Sequence, residues 1–63
     1  MSFEVFCKRV SEIAKRTGSK VRFFKEDERH IARCTDGVTI VGNSGCKSVY
    51  VKWGDGHTAH AYI

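Results

Sequence analysis

Val49-Tyr50-Val51-Lys52-Trp53-Gly54-Asp55-Gly56-His57-Thr58-Ala59-His60-Ala61-Tyr62-Ile63 is the stretch on which the fold turns. Apolar and polar side chains alternate on both sides of a Gly-Asp-Gly turn, the period-two pattern of an antiparallel hairpin. Two registers compete. A two-residue turn sets Trp53 opposite Thr58 and Val51 opposite His60, which mixes apolar and polar residues on each face. A three-residue loop with Gly56 left-handed sets Trp53 opposite His57, Val51 opposite Ala59 and Val49 opposite Ala61. Val49, Val51, Trp53, Ala59, Ala61 and Ile63 then share one face. A one-residue slip flips a whole strand, so clean segregation selects this second register. The other face carries Ser48, Tyr50, Lys52, Thr58, His60 and Tyr62.

Upstream, the same period predicts strands at Lys20–Lys25, Arg29–Cys34 and Val38–Val41, ahead of Lys47–Trp53 and His57–Ile63. Glu26-Asp27-Glu28 reads as an acidic turn. Asp36-Gly37 reads as a type I′ hairpin turn, which needs positive φ at its centre. Before Lys20 the period is helical. Phe3, Phe6, Cys7, Val10, Ile13 and Ala14 recur at i, i+3, i+4, i+7 and form one apolar stripe. Ser2 is the expected N-cap, Glu4 suits the first turn, Lys15 and Arg16 the last, and Gly18 the C′ position. The helix is expected at Phe3–Thr17.

These elements predict an α+β fold: an N-terminal amphipathic helix packed on a curved antiparallel sheet of four or five strands, as a meander or small barrel. Phe3, Phe6, Val10, Ile13, Val21, Phe23, Ile40, Val49, Val51 and Trp53 form the expected core. No proline, repeat or linker interrupts the chain, so residues 1–63 read as a single domain. A chain of 63 residues buries only roughly 60% of the surface its unfolded form exposes, which leaves little to line a deep pocket.

Composition narrows the function classes. Hydrophobic content of 41% beside 29% charge is that of a globular protein and argues against disorder. No apolar run approaches a membrane span, and Met1-Ser2-Phe3-Glu4 lacks the pattern of a secretory signal, which predicts a cytoplasmic location. In that compartment Cys7, Cys34 and Cys46 are expected as reduced, at least partly buried thiols. Eleven Lys and Arg against seven Asp and Glu give a net charge of +4, a bias toward polyanionic partners.

The candidate binding residues follow from the faces. Tyr50, His60 and Tyr62 with Lys52 resemble a stacking platform, where rings take bases and cations take phosphates. The same residues also suit plain sheet stabilisation, since cross-strand Tyr and Thr pairs are common for that reason. Arg29 and Arg33 share a strand face, and Arg22 on the preceding strand joins them as a basic patch; the competing reading pairs these arginines with Glu26, Asp27 and Glu28. Lys8, Arg9, Lys15 and Arg16 mark the helix's outer side. Cys34, Cys46, His57 and His60 are the right residue types for zinc, but their spacing matches no familiar site, and His57 and His60 point to opposite faces. No metal site or cofactor is therefore expected. No phosphate-binding loop, nucleophile–base pair or paired-acid signature is present, which points away from an enzyme.

The segment Val49–Thr58, an aromatic-ended strand running into an Asp-Gly turn, resembles a hairpin of SH3-like small β-barrels of the Tudor and KOW type. That resemblance implies a module that binds nucleic acid, a ribosomal or polymerase component, or a peptide, with Tyr50, Trp53 and Tyr62 at the surface. The reading from the residues is a non-catalytic binding module for RNA or DNA, using Arg22, Arg29, Arg33, Tyr50, Lys52, His60 and Tyr62. The alternative is a protein-interaction module, a regulator or inhibitor of a larger complex, acting through edge-strand pairing or homodimerisation, with the terminal strand His57–Ile63 added to a partner's sheet or to a second copy of itself.

Overall fold

The computed structural model describes residues 1–62. One helix, α1 (Phe3–Thr17), precedes five strands: β1 (Val21–Glu26), β2 (Arg29–Cys34), β3 (Thr39–Asn43), β4 (Ser48–Lys52) and β5 (Thr58–Tyr62). The strands pair antiparallel in the order β1-β2-β3-β4-β5, a meander left open between its two edges. Among the described residues β1 and β5 do not pair, so the sheet does not close into a barrel. The placing of Ile63 on the apolar face lies outside the described residues.

The helix begins and ends where its caps dictate. The Ser2 hydroxyl accepts from the Val5 N–H at 3.2 Å. Gly18, at φ 75°, turns the chain out and donates its N–H to the Ala14 and Lys15 carbonyls. From there α1 packs chiefly against β2 and β1. Phe6, Val10 and Ala14 are its buried residues, and with Ala32, Ile40 and Val49 they make the core.

The β4–β5 hairpin adopts the three-residue register. Val51 faces Ala59, Val49 faces Ala61, Tyr50 faces His60 and Lys52 faces Thr58. Gly56 is left-handed at φ 92° and donates to the Trp53 carbonyl, while the Trp53 N–H donates to the His57 carbonyl. The β2–β3 turn repeats this geometry, where the sequence predicts type I′. Gly37 alone has positive φ (87°), its N–H donates to the Cys34 carbonyl, and Cys34 N–H donates to Val38. Asp36 stays out of the left-handed region. Its carboxylate accepts from the Val38 N–H instead, fixing the loop from outside.

Two expected core residues are exposed. Ile13 is 38% and Trp53 37% accessible, and Phe3 is half-buried. The reason is where the helix lies. Sited over β1 and β2, it leaves the β4–β5 end of its own sheet face partly uncovered. Trp53 lies there against His57, ring centroids 5.1 Å apart. His30 is a buried polar residue, 1% accessible, with the Phe3 and Phe6 rings each 5.4 Å from its own. Its Nε2 lies 3.0 Å from the Met1 carbonyl, so that nitrogen carries the proton and donates. The Met1 ammonium in turn donates to the Ser44 and Cys46 carbonyls, tying the chain start to the β3–β4 loop.

Candidate nucleic-acid interface on the open sheet face

Because α1 covers one face of the sheet, alternation assigns every second strand residue to a face that no element among the described residues covers. The register arranges that face in rows running across all five strands. One row is Arg22–Arg33–Thr39–Lys52–Thr58. The next is Phe24–Ile31–Val41–Tyr50–His60. A third is broken, with Glu26–Arg29–Asn43 at one end and Ser48–Tyr62 at the other. At about 4.8 Å per strand each full row spans about 19 Å.

The first row is basic and the second apolar to aromatic. Phe24 is 45%, Tyr50 55% and Tyr62 84% accessible, while Ile31 and Val41 are half-buried between them. Tyr50 and His60 lie against one another, with centroids 4.1 Å apart and planes inclined at 47°. A shallow concavity of about 500 Å³ opens on this face, with Arg29, Val41, Tyr50, Lys52 and Thr58 among its lining residues.

The sequence-derived site residues divide accordingly. Arg22, Arg33 and Lys52 are brought into one row, and Tyr50 and His60 into the neighbouring one. Tyr62 stands on the same face at the β5 edge. Arg29 also shares it, at the corner beside the acidic turn and directly opposite Glu26. Among the described residues no arginine of this patch has a carboxylate within the 4.0 Å of a salt bridge. Arg22 and Arg33 instead face each other across β1 and β2, a like-charge pairing that works against the sheet.

Phe24 and Val41 are the members sequence reasoning missed, while Ile31 stands with Arg29 and Arg33 on one strand face, as alternation along β2 dictates. The signal was present in the Phe23-Phe24 doublet. In a strand with one face buried, adjacent phenylalanines cannot both face inward, and the outward one belongs with Arg22. Phe23 is the one that packs inside, its ring 6.2 Å from that of Phe6.

The cysteines and histidines do not converge. Among the described residues no three His, Cys, Asp or Glu side chains are close enough to share a metal ion. Cys7, Cys34 and Cys46 are free thiols. Cys46 is exposed, where the sequence suggested at least partial burial. Burial pushes the Cys34 thiol up from its ordinary value and the Asp36 carboxylate adds to the effect; burial also raises Cys7, against a lowering backbone hydrogen bond. Neither of these two has the lowered pKa of an activated nucleophile. Lys8, Arg9, Lys15 and Arg16 are exposed on the helix, on the opposite side of the molecule from the open sheet face. No helix of the described chain is long and apolar enough to cross a membrane.

No protein family, curated protein or solved structure matches this chain.

Proposed function

We propose that this domain is a non-catalytic, cytoplasmic binding module that takes single-stranded nucleic acid on its open sheet face. The observation that carries the reading is the pairing of two full rows, one basic and one apolar to aromatic, on a surface that none of the described residues covers. Rings at Phe24, Tyr50, His60 and Tyr62 offer faces for bases. Arg22, Arg33 and Lys52 run alongside at one row's distance, where a backbone of phosphates would follow, and Arg29 serves the other flank. Stacking requires unpaired bases, which favours single strands over duplex. The resemblance of Val49–Thr58 to SH3-like hairpins points the same way, through an open sheet in place of a closed barrel.

The Arg22–Arg33 opposition supports the reading energetically. Like charges placed directly across a sheet cost stability, and two positive charges so held are relieved by an anion. The aliphatic centre of the second row, Ile31 and Val41, favours a second reading, a protein partner laid across the same face.

The test is a salt titration of binding to a short single-stranded oligonucleotide, wild type against the Tyr50→Ala/Tyr62→Ala double variant. Affinity is expected to fall steeply with salt, with a further loss of about 1–3 kcal/mol for each ring that stacks. No binding at low salt would remove the nucleic-acid reading and leave the protein partner.

A further inference from the structure

We infer that β1 is a self-complementary edge through which two copies of this chain join their sheets. Among the described residues β1 pairs only with β2, so its other side is an open edge. The ladder fixes which backbone groups that edge presents. The Thr35 N–H donates to the Lys20 carbonyl, so Lys20 and Thr35 form a hydrogen-bonded pair. By alternation Arg22, Phe24 and Glu26 turn their backbone groups toward β2, and Val21, Phe23 and Lys25 turn theirs outward.

An edge strand presenting unpaired groups is a template for another strand unless something blocks it. Charged side chains usually supply the block, and β1 carries Arg22, Lys25 and Glu26. Their order changes the outcome. In a two-fold antiparallel pairing centred on Phe24, Arg22 falls opposite the second copy's Glu26, and Glu26 opposite its Arg22. Phe24 meets Phe24, and Phe23 meets Lys25. This register also matches the backbone, because the outward groups of Phe23 face those of the second copy's Lys25 and bond in both directions. Centring on Arg22 or on Lys25 instead sets like charges face to face. Centring on Phe23 leaves Arg22 against Phe24. Of these registers only the one centred on Phe24 both matches the pleat and pairs opposite charges within Val21–Glu26.

The two-fold axis stands perpendicular to the sheet, so both open faces lie on the same side. Phe24, 45% accessible in the single chain, is covered by its counterpart. The two apolar rows become one row across ten strands. The β5 edge offers no such code, since Thr58–Tyr62 carries no Lys, Arg, Asp or Glu to set a register. A contact of one short strand falls below the roughly 1,200 Å² of a standard interface, so the dimer belongs in the micromolar-to-millimolar range.

The experiment is sedimentation equilibrium without nucleic acid, over concentrations up to about 1 mM. It uses the wild type, Arg22→Glu, Glu26→Arg and the double swap Arg22→Glu/Glu26→Arg, with circular dichroism to confirm folding. All these side chains are exposed, and the readout does not depend on nucleic-acid binding. Each single reversal places like charges opposite one another twice per dimer and is expected to weaken association about tenfold or more. The double swap restores it, which is particular to this register. A monomeric wild type throughout, a dimer indifferent to the single reversals, or a double swap no better than either single variant would overturn the proposal.

Discussion

The two faces of this one sheet are built from the same strands and serve opposite ends. On the inner face Ala32, Ile40 and Val49 lie beneath Phe6 and Val10, and these five are nearly inaccessible to water. On the outer face, one residue along each strand, stand Arg33, Val41 and Tyr50, exposed or half-exposed. The inner face closes by shape, down to a glycine where a ring needs room. The outer face keeps large rings in water, where cross-strand pairs such as Tyr50–His60 stabilise only modestly, and sets two arginines against each other at a cost to folding. Features that cost stability without structural return are the ones to assign to binding.

The largest difference between the faces is expected from one pair of substitutions. Phe6→Ala on the inner side should cost about 3–5 kcal/mol, enough to unfold most of so small a domain at room temperature. Phe24→Ala on the outer side should cost less than about 1 kcal/mol in urea denaturation. Equal losses would mean that the outer face is structural too.

Gly42 sharpens it next. A Cβ at this position would stand 3.0 Å from the Phe6 ring and 3.2 Å from Val49, both fully buried. Gly42→Ala should therefore destabilise by about 1–3 kcal/mol, read from the same denaturation curves. On the outer face the sign reverses. Arg33→Thr removes the like-charge opposition to Arg22 and is expected to raise stability by about 0.2–1 kcal/mol. The same substitution should weaken oligonucleotide binding and reduce the salt slope by about one. A variant both more stable and a weaker binder is the signature of a side chain kept for its partner.

The thiols give the smallest effect, a difference in rate. Cys46 is exposed, while burial holds the Cys7 and Cys34 thiols above their ordinary range and so poor in thiolate at neutral pH. Native protein should label first at Cys46 with a thiol reagent, the other two following at higher pH or on unfolding. Rapid labelling of all three at neutral pH would show the inner face to be open.

Much of this was legible in the sequence because it is local. The helix follows from a repeating stripe and two caps, and the last hairpin's register from Val49, Val51, Ala59 and Ala61 needing a common side. Ile13 and Trp53 were misplaced because periodicity says which side of an element is apolar, not how far its neighbour reaches across. The helix stops over β1 and β2, and that placement depends on packing between elements. The type I′ reading of Asp36-Gly37 failed because a dipeptide does not count the residues in its loop. The rows of the candidate site needed the registers of all four strand pairings at once. Only the last pairing was worked out from sequence, which is why Tyr50 and His60 were placed opposite one another and Phe24 was overlooked.

The division of the sheet is tested most directly by mapping a single-stranded oligonucleotide onto the isotope-labelled protein by NMR. The largest shifts are expected at Arg22, Phe24, Arg33, Tyr50, Lys52 and His60, with little change along α1. Shifts concentrated instead on the helix's outer side, at Lys8, Arg9, Lys15 and Arg16, would contradict it.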